Sequence, residues 1–208
     1  MPTLTRQSRE GQPPKGQCAG LVIGPGVMLR AGRAHELCGP ARHTLALMLA
    51  RAVAGPLLWI RPLNADGLLS GDGISAWIDP GRLVFAKASR AADVLWSVEE
   101  ALRSGALPLV IAELAEPPAL TPVRRLHLAA EAAPGQPTAL LLTPGEGGAQ
   151  GIETRWHIRP APGWADRGNA AWTLRRTRAR MAPEAAWRME TGPDSTVLSP
   201  ITPLRAAE

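Results

Sequence analysis

The sequence predicts an α/β fold with a mixed, mostly parallel sheet, flanked by helices and extended by antiparallel strands toward the C-terminus. Three observations lead to this prediction. Apolar runs of strand length alternate with amphipathic helical patterns as far as residue 143. The run over residues 107–114 is almost continuously apolar, as in a parallel strand that is buried on both faces. Beyond residue 152, three strand-like runs follow one another with no helical pattern between them.

The first strand–helix–strand unit occupies residues 34–60. An apolar run at residues 34–38 predicts a strand, and Gly39-Pro40 ends it. A helix is predicted over residues 41–54, and Gly55-Pro56 ends that helix before a second strand at residues 57–60. The apolar residues spaced to form one buried face of the helix are Leu45, Met48, Leu49, Ala52 and Val53.

The turn inside this unit stands where nucleotide-binding proteins have a phosphate loop. That loop requires the pattern G-x-x-x-x-G-K-[ST], because its backbone N–H groups and lysine surround the phosphates while its hydroxyl binds magnesium. If Thr44 is the hydroxyl position, His43 replaces the lysine, Arg42 replaces the second glycine, and Gly39 is two residues too close. Pro40 offers no N–H. Two interpretations stay open: a former phosphate loop that no longer binds a triphosphate, or an ordinary turn.

The remaining helices and strands are predicted from the same patterns. Helices are expected over residues 72–77, 89–104 and 121–133. Further strands are expected over residues 82–87, 107–114, 137–143, 153–159, 170–180 and 185–191. Ser89 and Thr121 are the predicted N-caps of their helices, and Pro122 suits a first helical position.

The chain of 208 residues is long enough for one domain with terminal tails. We predict a flexible N-terminal tail over residues 1–20, one domain over residues 21–191, and an irregular, proline-containing C-terminal tail over residues 192–208. A hydrophobic content of 45% excludes a wholly disordered protein.

The charge distribution and the two cysteines limit which partners, cofactors and cellular compartment are expected. The net charge of +5 comes from the two ends, since residues 1–30 carry four basic and one acidic side chain and residues 153–208 carry nine basic and six acidic ones. Cys18 and Cys38 show no metal-ligand spacing, so we expect neither a metal nor a cofactor. With no signal-peptide pattern and no apolar run of membrane-spanning length, we expect a cytoplasmic protein without a membrane partner.

Several segments together resemble ImuA, a RecA-like protein family of bacterial mutagenesis operons. The lead-in G-P-G-V-M-L-R-A-G-R-A-H-E-L-C-G-P and the helix T-L-A-L-M-L-A resemble the RecA-type recombinase core around its phosphate loop. The segments that resemble ImuA more closely are His35-Glu36, P-L-L-W-I, V-L-W-S-V-E-E-A-L-R-S-G, L-P-L-V-I-A-E-L, R-R-L-H-L-A-A-E, T-A-L-L-L and T-R-W-H-I-R-P-A-P. The resemblance covers approximately residues 24–190.

The resemblance implies a RecA-like fold without a working ATPase site, and hence no catalytic residues. It implies a role in the SOS response to DNA damage, in translesion synthesis and mutagenesis. The implied partners are RecA and ImuB, an inactive relative of Y-family polymerases, with an error-prone DnaE-type polymerase as an indirect partner. Two alternatives stay open: a divergent RecA-like ATPase in which Arg42 or His43 replaces the lysine, and a cell-division inhibitor resembling SulA, which binds FtsZ.

Glu113 stands where a RecA-type ATPase has the carboxylate that ends a core strand, the Walker B position. It would hold magnesium in an active site, but without the loop lysine we favour a strand-end carboxylate satisfied by a nearby arginine. The counterparts of the recombinase DNA-binding loops, residues 115–120 and 145–151, contain no arginine or lysine. Because phosphate binding needs cations, the recombinase DNA site is predicted to be missing as well.

Arg175, Arg176, Arg178 and Arg180 form the remaining cationic candidate, for contact with nucleic acid or a protein partner. In a regular strand, Arg176, Arg178 and Arg180 would share one face with Leu174. Such a strip either contacts phosphates or protects an edge strand from pairing with another sheet, and we favour edge protection.

Buried roles are predicted for the other conspicuous side chains. His35 and Glu36 are adjacent in a strand, so they point to opposite faces and cannot act together as a base and its orienting acid. We expect His35 to be a buried, satisfied histidine and Cys38 a small buried residue. Trp156, Trp172 and Trp187 are expected to pack in the core and not to stack on bases.

Overall fold

A computed structural model of the protein describes residues 20–24, 26–65, 69–162, 170–191 and 196–200. Its strands are β1 (Leu21–Gly24), β2 (Val27–Leu29), β3 (Ala34–Cys38), β4 (Leu57–Pro62), β5 (Leu83–Ala88), β6 (Leu109–Glu113), β7 (Thr138–Leu142), β8 (Thr154–Pro160), β9 (Ala170–Ala179), β10 (Ala185–Thr191) and β11 (Thr196–Pro200). Its helices are α1 (Arg42–Arg51), α2 (Gly71–Ser75), α3 (Ala91–Ser104) and α4 (Leu120–Ala132), with a 3-10 turn at Pro80–Arg82.

Nine strands form one mixed sheet in the order β11-β10-β9-β8-β3-β7-β6-β4-β5. Neighbours from β8 to β5 are parallel, and the pairs within β8-β9-β10-β11 are antiparallel. β1 and β2 form a separate antiparallel hairpin. The predicted α/β fold, with a mostly parallel sheet and C-terminal antiparallel strands, is confirmed.

The two faces of the sheet carry two separate cores because successive residues of a strand point to opposite faces. On one face, Leu45, Met48 and Leu49 of α1 belong to the same buried core cluster as Leu57 and Trp59 of β4. On the other face, apolar residues of α3 and α4 pack against the alternate strand positions. Residues 45–50 of α1 are all buried, so this helix is enclosed nearly all round; Ala52, predicted on its buried face, is exposed beyond its end.

The order in which the chain adds strands to the sheet reverses at β3. The chain leaves β3 through α1 and reaches β4, which lies three places away on one side, while β7 leads to β8 on the opposite side of β3. In open α/β sheets, ligands bind in the crevice outside the carboxyl ends of the strands at such a switch point. The Gly39 turn lies at the carboxyl end of β3 and therefore at this position.

Several sequence predictions need correction. β9 lies between β8 and β10, so it is not an edge strand and its arginines do not protect an edge. Part of the predicted irregular tail forms β11, which pairs with β10. α3 and α4 begin without a side-chain cap, so Ser89 and Thr121 are not the N-caps. The predicted N-terminal tail, apart from Gly20, lies outside the described residues, as do residues 192–195 and 201–208 of the C-terminal tail.

None of the helices in the described part of the chain has the length and apolar character needed to cross a membrane.

Candidate functional site

The Gly39 turn is filled by the protein itself. Gly39 adopts a left-handed conformation, with φ of 88°, that glycine tolerates best. A Cβ at this position would lie 2.4 Å from the carbonyl oxygen of Ile158 and 2.8 Å from Nε2 of His157. The space on that side of the turn is thus occupied by β8.

Three backbone N–H groups of the turn already have acceptors within the chain. The Gly39 N–H donates to the carbonyl of Gly145 at 2.9 Å, the Ala41 N–H to Ile158 at 3.3 Å, and the Arg42 N–H to Gly39 at 3.3 Å. Pro40 has no N–H. A phosphate loop works by pointing such groups at an anion, whereas these point at carbonyl oxygens of the same chain.

His43, the predicted counterpart of the phosphate-loop lysine, lies against Glu113, the predicted counterpart of the Walker B carboxylate. Their closest atoms, Nε2 of His43 and Oε1 of Glu113, are 3.6 Å apart, and the imidazole stacks on the indole of Trp59. The same oxygen of Glu113 accepts hydrogen bonds from Trp59 Nε1 at 2.8 Å and from Arg61 Nε at 2.7 Å. The predicted satisfaction of Glu113 by an arginine is confirmed.

These contacts keep Glu113 ionised. Burial raises the pKa of its carboxyl, but the donors from His43, Arg61 and Trp59 outweigh burial and lower the pKa to about 2. A carboxylate compensated in this way is an acceptor held in a fixed position. It is not suited to exchange protons near neutral pH, since a general acid or base works best with a pKa near that of the medium.

Arg42 and Thr44 are the other two residues of the turn that the sequence matched to phosphate-loop positions. Arg42 Nη1 donates to the Gly39 carbonyl at 3.2 Å and so ties the side chain to its own turn. Thr44 is half-buried, and its hydroxyl makes no hydrogen bond among the described residues. The structure therefore brings His43 and Glu113 together but gives Gly39 and Arg42 internal partners.

Glu36 is the centre of a buried polar cluster that the sequence did not reveal. Its side chain is fully buried on the face opposite His35 and forms an ion pair with Arg155. The hydroxyl of Thr143 and the N–H groups of Gly148 and Ala149 also donate to its carboxylate, at 2.7, 2.8 and 3.0 Å. A charge inside an apolar strand signals that a partner must exist, but Arg155 lies 119 residues further along the chain.

The loop over residues 145–151 therefore has a structural role. It is the predicted counterpart of a recombinase DNA-binding loop, and two of its N–H groups are directed inward to Glu36. Gly147 packs so closely that an added Cβ would lie 2.8 Å from Oε1 of Glu36. The loop closes over the buried carboxylate and leaves those groups unavailable to an external phosphate.

His35 is a satisfied neutral histidine, as predicted. Its Nε2–H donates to the carbonyl of Arg30 at 2.9 Å, and its Nδ1 accepts from the hydroxyl of Thr154 at 2.7 Å. That hydroxyl accepts in turn from Trp156 Nε1. Burial lowers the pKa of His35 to about 4.

Cys38 is buried as predicted, and burial raises the pKa of its thiol to about 12, which leaves it unreactive.

The predicted strip of arginines on β9 is interrupted. The β8–β9 register shifts between Arg155 and Trp156, where Arg155 pairs with Arg178 but Trp156 pairs with Arg176. The extra residue, Thr177, forms a bulge and moves Arg178 and Arg180 to the face opposite Arg176. The prediction that these three arginines share a face with Leu174 is therefore wrong.

Arg176 has a packing role on its own face. Its guanidinium lies 5.6 Å from the ring centre of Trp156 and 5.3 Å from that of Trp187, and it donates to the carbonyls of Pro183 and Gly26. Burial lowers its pKa. Trp156, Trp172 and Trp187 are buried, which confirms their predicted place in the core. Arg176 thus joins the β1–β2 hairpin to the sheet.

No three His, Cys, Asp or Glu side chains in the described ranges are grouped so as to hold a metal ion. No protein-family model matches the chain, and no curated protein matches it significantly.

Proposed function

We propose that this protein is a non-catalytic, RecA-like accessory protein of damage-induced translesion DNA synthesis. It acts through contacts with RecA and with an ImuB-type inactive polymerase homologue, and through these with an error-prone DnaE-type polymerase. The proposal combines the resemblance of residues 24–190 to ImuA with the geometry of the switch point.

One observation carries the non-catalytic part of the proposal. The turn at the ligand position of the fold donates its N–H groups of Gly39, Ala41 and Arg42 to internal carbonyls. The residue in the lysine position, His43, is held between Glu113 and Trp59. A triphosphate at this turn would have to compete with these internal contacts, and this supports an accessory protein without ATPase activity.

The two alternatives have weaker support. A divergent ATPase would need Arg42 or His43 to reach a phosphate, but both side chains face partners inside the chain. A SulA-like inhibitor would resemble a shorter chain without the C-terminal strands, whereas β9, β10 and β11 extend this sheet.

Two measurements test the proposal. Titration with a fluorescent ATP analogue should show no saturable binding, and a signal that competes with ATP and is lost in Thr44→Ala would favour the ATPase. Affinity purification of the tagged full chain from DNA-damaged cells should recover RecA and an ImuB-type protein. Recovery of FtsZ instead would favour the division inhibitor, and recovery of none of the three would contradict the accessory role.

A further inference from the structure

The antiparallel part of the sheet presents an arginine-rich face on the side of α3 and α4. These two helices pack over β3, β4, β5, β6 and β7, whereas the same face of β8, β9 and β10 continues beyond them. Cross-strand partners share a face, and the pairs Arg155–Arg178, Arg159–Thr173 and Thr173–Arg188 place their side chains there together. The arginines that strand pairing places on this face are Arg155, Arg159, Arg175, Arg178 and Arg188, and Arg180 follows β9 and binds the Gly151 carbonyl and Glu153 at the edge of the face.

Half of this positive charge is already neutralised. Three arginines have a carboxylate partner, in the pairs Arg155–Glu36, Arg180–Glu153 and Arg188–Glu190. Arg159, Arg175 and Arg178 are exposed and form no ion pair or side-chain hydrogen bond with any described residue. Glu184, in the turn before β10, forms no ion pair within the described ranges either. Three guanidinium groups without an ion pair among the described residues therefore remain on neighbouring positions of two strands.

We propose that this arginine face binds the phosphodiester backbone of duplex nucleic acid without reading its sequence. The planar guanidinium matches phosphate oxygens with two parallel hydrogen bonds, and each neutralised phosphate releases counterions. The like charges of Arg159, Arg175 and Arg178 repel one another in the free protein, so a polyanion relieves this repulsion as it binds. The inference is independent of the proposed accessory role, since it concerns only this surface and nucleic acid.

The composition of the face favours nucleic acid over an acidic protein. Protein interfaces have an apolar centre in which aromatic side chains supply most of the binding energy. The tryptophans of these strands, Trp156, Trp172 and Trp187, are buried on the opposite face. A partner of this face must therefore be held by charge, and nucleic acid carries a denser array of negative charge than an acidic protein does.

The same composition favours a duplex over a single strand. Proteins that hold single strands combine a positive groove with aromatic rings on which bases stack. The one aromatic ring that the described residues place on this face is that of His157, and it is buried. A duplex offers about one phosphate per 1.7 Å of its axis and needs no stacking platform.

The number of free arginines fixes the expected salt dependence. Three phosphate contacts predict a slope of about −2.7 for the logarithm of the binding constant against the logarithm of the salt concentration. The affinity should accordingly fall about 40-fold between 50 mM and 200 mM salt.

The test is fluorescence anisotropy of a labelled DNA duplex of random sequence, titrated with the full chain at several salt concentrations. The variant Arg159→Gln/Arg175→Gln/Arg178→Gln removes the free charges of the face. The matched control, Arg30→Gln/Arg51→Gln/Lys87→Gln, removes three exposed positive charges that have no ion-pair partner among the described residues and lie after β2, in α1 and in β5, outside the strands that carry the face. We expect the first variant to lose at least about ten-fold in affinity at low salt and most of the salt slope, while the control keeps the slope.

Four results would overturn the inference: no binding of the duplex by the wild-type chain at low salt, unchanged binding by the face variant, an equal loss in both triple variants, and binding of single-stranded DNA or polyglutamate as tight as that of the duplex. An equal loss would show that net charge alone attracts the DNA. Tight binding of polyglutamate would assign the face to an acidic protein. Because the assay contains only this chain and its probe, none of these results bears on the association with RecA or an ImuB-type protein.

Discussion

At the scale of single residues, two carboxylates of this fold bind groups of the same chain, in positions where other α/β proteins use carboxylates to bind a ligand. Glu113 and Glu36 both lie in or at the end of parallel strands, where catalytic and metal-binding carboxylates are often found. Each is instead compensated by an arginine, Arg61 for Glu113 and Arg155 for Glu36. The consequences can be measured as stability and as its dependence on pH.

We predict that Glu36→Gln destabilises the protein by about 3–5 kcal/mol, because it leaves the half-buried Arg155 without its anion. Urea unfolding followed by circular dichroism measures this change. Glu190→Gln, which removes an exposed carboxylate from an ion pair with Arg188, is the matched control and should cost less than about 1 kcal/mol. Similar losses in the two variants would show that the buried cluster is not a significant source of stability.

We predict that stability falls as the pH is lowered from 7 to 5, in part through His35. The pKa of His35 is about 4 in the folded chain and 6.5 in the unfolded chain, so the unfolded state binds more protons in this interval. The contribution of His35 to the free energy of unfolding is present above pH 6.5 and is lost as the pH falls toward 4. The loss between pH 7 and pH 5 is about 2 kcal/mol.

The variant His35→Asn isolates this contribution. Its loss of stability between pH 7 and pH 5 should be smaller than that of the wild type by about 2 kcal/mol. Burial also lowers the pKa of His127, which is present in both proteins. Glu113, with its pKa lowered to about 2, acts in a separate interval below pH 4.5. Parallel pH profiles for the two proteins would contradict the assignment.

At the scale of elements, α1 is the helix most fully enclosed by the rest of the chain, since all residues from 45 to 50 are buried. Leu49 is 0% exposed and packs in the core on the α1 face of the sheet. We predict that Leu49→Ala costs about 2–5 kcal/mol, because it removes buried methyl groups and leaves a cavity.

Thermal and urea unfolding check this value. Arg51→Ala, on the exposed last turn of the same helix, is the control and should change stability by no more than about 0.5 kcal/mol. An unchanged melting temperature for Leu49→Ala would mean that α1 does not pack on the sheet as described.

At the scale of the whole molecule, the sheet has a topological switch point, but other segments of the chain occupy one side of the turn at that point. β8 supplies the Ile158 carbonyl and His157 to the Gly39 turn, and the 145–151 loop supplies the Gly145 carbonyl. We therefore predict no ATP hydrolysis above background, measured as phosphate release in the presence of magnesium, with and without DNA. Turnover that disappears in Thr44→Ala would contradict this prediction.

The order and type of most elements follow from the sequence alone. Periodicity predicted β3, α1, β4, α3, β6 and β7 because each has an apolar pattern that matches one regular structure. The burial of His35 and Cys38 could also be inferred from local sequence, as could the opposite orientation of His35 and Glu36. These features depend on residues that are neighbours in the chain.

Only the tertiary structure decided which distant residues meet. The pairing of Glu36 with Arg155 spans 119 residues, and nothing in either segment identifies the other. One extra residue at Thr177 changes the face on which Arg178 and Arg180 lie, and periodicity cannot detect such a bulge. β9 is interior because β10 and β11 continue the sheet beyond it. Local patterns specify elements, whereas strand order, register and long-range charge pairs arise from packing, and these decide which groups face solvent.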